Sequence, residues 1–285
     1  MVERKTMRPV TIRRVIEVCS IALNQKVNVT IVSNTLNLSL SRAKEIILEV
    51  ERMKLLSHEE NFWKANNNTK KILEYYRENR WHKIHEYFVA NYQFYRDFIK
   101  ILEHHKNKEK GMSIDKIREE AVDNNINLNR TSLEVLADWC ARLGVIQRHL
   151  YNGRLYLVNR KGSCREEHFL STLLEIYHKN TVRKWFRETF IEIPLVREEV
   201  CERLKISRAF FDKKMRQIYF KNIGKIELSG APIITHAKNS PLSEKEMSYE
   251  ETNVLMSPKF KLKEKREGLT IGQKCYYYLA IHESF

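Results

Sequence analysis

The sequence predicts a mostly α chain with short β-hairpins, an α+β protein whose modules are joined by aromatic-rich helices. Three observations lead there. Apolar residues recur every three or four positions through most of the 285 residues, the period of a helix that buries one face. Only eight Gly and five Pro interrupt that rhythm, whereas an all-β chain needs a turn every ~8–12 residues. A helix, a short turn, a second helix and a hairpin signal then follow one another three times along the chain.

The first occurrence fills residues 1–75. Ile12, Val15, Ile16, Cys19 and Leu23 share one helical face, and "QKVN" ends that helix. Thr30 is placed to cap the next helix, "TIVSNTLN", because a hydroxyl can accept an orphan first-turn N–H. Ser39 is placed to cap a third, in which Ala43, Ile46, Ile47, Val50 and Met53 form a stripe. Leu55–Leu56 and "NFWKA" read as two strands around a polar tip, "SHEEN".

Residues 76–110 form a helical spacer. Trp81, Ile84, Phe88, Tyr92, Tyr95 and Phe98 step by three or four, giving an amphipathic aromatic stripe. Such a stripe at 81–102 packs neighbouring modules together or serves as the face of a homodimer. His82 and His85 stand three apart with no acidic or sulfur partner at ligand spacing, so no metal site is expected.

The second occurrence spans residues 111–165. Ser113 caps a helix carrying Ile114, Ile117 and Ala121, and "DNNINLN" is a polar turn. Asn129 or Thr131 starts the next helix, with Leu133, Leu136, Ala137, Cys140 and Leu143 inward and Gly144 at its end. Asn152-Gly153 lies between two apolar runs, the signal for a two-residue type I′ hairpin turn with Arg148 and Arg154 beside it.

The third occurrence takes residues 166–285. "FLSTLLEIYHK", "LVREEVCERLKI" and "SRAFFDKKMRQIYFKN" read as helices, the last capped by Ser207. The connector "RKWFRETFIEIP" fits helix or strand, and "GKIELSG", "APIITH" and "KCYYYLAIH" read as strands. Residues 237–267 are a charged excursion from this module.

These three segments together resemble tandem winged helix-turn-helix domains. The resemblance is one of fold pattern over "VTIVSNTLNLSLSRAKEIILEVERMKLL", "SIDKIREEAVDNNINLNRTSLEVLADWCARLGVIQRHLYNGRLYLV" and "LVREEVCERLKISRAFFDKKMRQIYF". The second copy departs from it in a longer, Asn-rich turn and the third in its wing. The resemblance implies that the helix after each turn enters the major groove of double-stranded DNA and that the hairpin touches the backbone. The residues implied are Ser39, Ser41, Arg42 and Lys44 in the first copy. In the second they are Asn129, Arg130, Thr131 and Ser132, with Arg148 and Arg154 on the wing. In the third they are Ser207, Arg208, Lys213, Lys214 and Arg216. Each set combines hydroxyls or amides with cations, donors suited to phosphates and base edges.

Charge supports the same partner. The net charge is +15 with a pI near 9.5, and every third of the chain carries more cations than anions, so an extended polyanion is the expected ligand. No apolar run reaches the ~18–20 residues that span a bilayer, and "MVERKTMRPV" lacks the apolar core of a signal peptide. The expected location is therefore cytoplasmic, at a nucleoid or its nuclear equivalent, without a membrane partner. Five scattered cysteines form no CxxC pair, which argues against zinc or a disulfide framework. No P-loop, GxGxxG, HExxH or GxSxG occurs, so no enzyme activity and no cofactor are expected. The expected role is a transcription regulator, or the DNA-reading component of a replication, mobile-element or defence complex. A protein-docking adaptor or an RNA-binding factor is the alternative.

Overall fold

In the computed structural model, residues 6–159, 164–182, 189–230 and 268–282 are described. Among them the chain is mixed in secondary structure, with eleven helices and short antiparallel sheets. It divides into two compact units, residues 1–148 with 154–157, and residues 149–153 with 158–285.

The first unit opens with three helices whose ends are set by local chemistry. Thr11 caps α1 (Ile12–Asn24), accepting from the Arg14 N–H. Asn28 caps α2 (Val29–Leu36), accepting from the Ile31 N–H at 2.8 Å. The cap is thus Asn28 rather than Thr30: the helix starts earlier, and an Asn carbonyl reaches the third N–H as well as a hydroxyl does. Asn37 ends α2 in the left-handed region at φ 50. Ser39 caps α3 (Leu40–Arg52) as expected. Strands β1 (Leu56–Glu59) and β2 (Phe62–Ala65) pair from Leu56 with Ala65 to Glu59 with Phe62. Val27, just before α2, makes an antiparallel bridge to Trp63 through two 2.8 Å backbone hydrogen bonds.

Helix α4 (Asn67–Arg77) follows through a reciprocal cap between Asn66 and Thr69. After α5 (Trp81–Asn91) and α6 (Gln93–His104), the order of the first three helices and hairpin returns. Met112 precedes α7 (Ile114–Asp123), α8 (Arg130–Arg142) follows with Asn129 as its cap, and β3 (Ile146–Arg148) pairs with β4 (Leu155–Leu157). Met112 bridges Leu155 as Val27 bridges Trp63. The helix that opens this second repeat is α6, which packs on both α7 and α8.

That placement revises the expected domain limits. Residues 1–75, 76–110 and 111–165 are not three bodies, because one hydrophobic core runs through buried residues from Met7 to Leu155. Its centre is aromatic: Phe88, Tyr92 and Tyr95 surround Trp139 with ring centroids at 5.1, 6.0 and 6.5 Å. Residues Ile84, Phe88, Tyr92, Tyr95 and Phe98 are at most 1 % exposed. These residues of the 81–102 stripe are therefore packed inside their own unit, while Trp81 is only partly buried.

The second unit contains α9 (Glu166–Val182), β5 (Ile191–Glu192), α10 (Ile193–Leu204) and α11 (Arg208–Lys221). Strands β6 (Ile226–Gly230), β7 (Leu269–Ile271) and β8 (Lys274–Ile281) complete it. β8 pairs antiparallel with β5, β6 and β7. The order is again helix, short strand, two helices and a returning strand pair, with β5 in the place of Val27 and Met112. Phe169, Phe211, Met215 and Ile218 form its interior. Within "RKWFRETFIEIP", Ile191–Glu192 are strand, while 183–188 lie outside the described residues. "APIITH" and the 237–267 excursion also lie outside them.

Candidate nucleic-acid interface

The N-terminal turns of α3, α8 and α11 carry the expected contacts, and the three turns differ in how much they leave outside. On α3, Ser39, Ser41 and Lys44 are exposed. The Ser39 hydroxyl accepts the Arg42 N–H, and the Arg42 guanidinium donates to the Pro9 carbonyl at 2.6 Å and to Glu45 at 2.9 Å. Arg42 is thus half-buried and holds the N-terminal arm against α3. Leu40, between the two serines, is 57 % exposed.

On α8, Asn129, Arg130 and Thr131 are exposed, and Arg130 lies 3.1 Å from Asp115. Ser132 is not available: it is 1 % exposed and faces the core, its N–H held by the Asn129 side chain. The helical turn explains this, since Ser132 shares the inward face with Leu133 and Leu136.

On α11, Ser207 accepts the Phe210 N–H, and Lys213 and Arg216 are exposed. Arg216 donates to the Thr270 carbonyl at 2.8 Å, and Lys214 stands 3.8 Å from Glu166. Arg208 turns inward instead. Its guanidinium forks onto the carboxylate of Glu198, with 12 % of the arginine side chain and none of the glutamate exposed. A buried carboxylate requires such a partner, so Arg208 is a structural cation and not a groove contact.

Glu198 belongs to a polar cluster on α10 that the periodicity of the helix concealed. Its second oxygen accepts the Leu150 N–H at 2.9 Å. Arg197 pairs with Asp212 at 3.1 Å, and the His149 ring stands 3.8 Å from Glu202. Burial pushes Asp212 up in spite of Arg197. Burial likewise pushes His149 down, against the opposing pull of Glu202, Glu198 and Glu199.

The expected wing of the second repeat is also rearranged. Arg148 pairs with Leu155, which leaves a six-residue loop from 149 to 154 rather than a two-residue turn at Asn152-Gly153. Gly153 alone in this loop has positive φ, at 70, and its N–H bonds to the His149 carbonyl. His149 is 4 % exposed and its ring accepts from the Tyr151 N–H. The buried imidazole draws the chain into a wider loop than the Asn-Gly signal implies. Arg148 pairs with Glu134 of α8, and Arg154 is half-buried.

A second unexpected cluster sits in the first unit. Glu49 of α3 is fully buried and receives the Tyr92 hydroxyl, the Arg8 N–H and the Arg52 guanidinium. Burial, and then the Glu49 charge, push the Tyr92 hydroxyl well above its ordinary range. Cys19, Cys140 and Cys201 are buried and lie in no disulfide.

Among the described residues no group of three His, Cys, Asp or Glu could hold a metal ion. None of the described helices is long and apolar enough to cross a membrane. No family model matches the sequence, and no curated protein is similar to it.

Proposed function

We propose that this protein binds double-stranded DNA through winged helix-turn-helix modules, one in each of the three repeats. It acts as a transcription regulator or as the DNA-reading part of a replication, mobile-element or defence complex. The observation that carries the reading is the repeated bridge: Val27 to Trp63, Met112 to Leu155 and Ile191 to Leu279 each tie the residue before a helix pair to the returning strand of the hairpin beyond it. The third helix of each repeat leaves polar or cationic side chains exposed, the kind of donors a major groove admits. The contacts assigned are Ser41 and Lys44, Arg130 and Thr131, and Lys213 and Arg216, all exposed. The chain contributes no chemistry of its own in this reading.

Fluorescence anisotropy with duplex DNA, single-stranded DNA and RNA across a salt series tests it. Duplex is expected to bind tightest. The slope of log K against log salt should be steeply negative, roughly −0.9 for each neutralised phosphate. A flat slope, or no binding at low salt, overturns the proposal in favour of a protein-docking role. Tighter binding of RNA overturns it in favour of an RNA-binding factor.

A further inference from the structure

The first unit contains a cleft of about 1080 Å³ that the groove contacts leave unused. One wall is a single face of α6, with Gln93, Asp97, Lys100 and His104 spaced three and four residues apart. The other wall is the turn Asn124–Asn127, and the end of α3 supplies Arg52 and Lys54. Four cationic side chains, Arg52, Lys54, Arg96 and Lys100, face one carboxylate, Asp97.

The cations divide into two kinds. Arg52 and Arg96 are engaged by the fold: Arg52 donates to the Thr6 carbonyl, and Arg96 donates to the Val89 carbonyl at 2.7 Å. Lys54 and Lys100 are exposed, and among the described residues neither has a carboxylate within ion-pair distance. The amides of Gln93, Asn125 and Asn127 are likewise turned to solvent with no side-chain partner among the described residues. Lysines and amides without protein partners are the donors that hold phosphate oxygens. Pockets for small organic ligands are mostly apolar, and here only Phe94, Ile101 and Ile126 are apolar. Single-strand grooves need open aromatic faces for stacking. The one aromatic ring of the cleft outside histidine, Phe94, has the Arg52 guanidinium over it at 5.4 Å.

Asn127 stands two residues before the cap of α8. Resting on the reading that α8 enters the groove, we propose that this cleft grips the sugar-phosphate backbone of the same duplex, with Lys54, Lys100 and the Asn125 and Asn127 amides as the phosphate contacts. The cleft sets register and contributes affinity, and it carries no base information.

The test is a salt series on the full chain with several duplexes, comparing the parent, the double variant Lys54→Gln/Lys100→Gln, and Lys71→Gln on the exposed face of α4 as a control. The double variant is expected to flatten the salt slope by roughly 0.9 for each phosphate it no longer neutralises and to weaken all duplexes by the same factor. The control should match the parent, and both variants should melt like it. Asn127→Ala should weaken duplexes uniformly without changing the slope. A double variant that binds duplex like the parent overturns the cleft while leaving the groove reading intact. Weakening confined to particular sequences overturns it too, as does displacement of duplex by an acidic polypeptide as effective as DNA. A parent that binds no duplex removes the underlying reading and the cleft with it.

Discussion

The Ser132 hydroxyl is buried without a hydrogen-bond partner, although its neighbours Arg130 and Thr131 face outward. An unpaired buried hydroxyl costs desolvation and returns nothing. Ser132→Ala should therefore leave the melting temperature equal or higher, with duplex affinity unchanged. A drop in affinity would mean that the first turn of α8 is rotated from its observed setting. Gly153 gives the opposite case. Nothing lies within 4 Å of the position a Cβ would take, but the backbone is at φ +70. Gly153→Val is then a matter of backbone strain, on the order of 1–3 kcal/mol, visible as a lower denaturation midpoint. A variant that unfolds like the parent would contradict the left-handed setting of this residue.

The pairing of α10 with α11 through Glu198 and Arg208 makes a sharper forecast for an element. Removing one partner of a buried pair strands the other, at roughly 3–5 kcal/mol. Arg208→Ala should thus destabilise the second unit in a urea titration, and any fall in DNA binding should track unfolding. Normal stability with weakened binding would return Arg208 to the interface. Elements of this kind also mark how far a linear reading reaches. Caps are legible at Ser39, Ser113, Asn129 and Ser207, because a cap bonds within three residues of itself. The inward stripes of α3 and α8 are legible for the same reason of short range. Glu49 with Tyr92 is different: their separation of 43 residues leaves no local trace, and each looks like an ordinary surface or core residue alone. A spacer is a misreading of α6, because that helix has the same periodicity whether it joins two modules or opens one. An outward Arg208 is a misreading too, because an arginine beside a helix start fits phosphate or a buried glutamate equally.

For the molecule as a whole, acid should act on the second unit through His149. Burial lowers its folded pKa below the ordinary 6.5, so the unfolded chain binds the proton more readily. Stability from this group is present above the unfolded pKa and is lost as pH falls through that value toward the folded one. Glu202, Glu198, Glu199 and Arg208 face the ring and shape the size of the effect. Denaturation midpoints should fall on acidification from neutral pH, and His149→Gln should flatten that dependence. An identical pH profile in the variant would assign the acid sensitivity to groups other than His149.

The indole of Trp139 donates to the carbonyl of Val10 across 129 residues of chain. The arm it holds is also bound by Arg42 at Pro9 and by Arg52 at Thr6. On a ribosome, synthesis at about 5–20 residues per second separates the two ends of that bond by roughly six to twenty-five seconds. The first repeat must wait that long, with Met7 and Val10 lacking part of their final burial, before its last contact exists. Nascent chains stalled before residue 139 should therefore exchange the Arg8 amide hydrogen freely. Chains stalled after Leu157 has cleared the exit tunnel should protect it. Protection in the shorter chain would mean that the arm closes on α3 alone and that Trp139 arrives at a structure already finished.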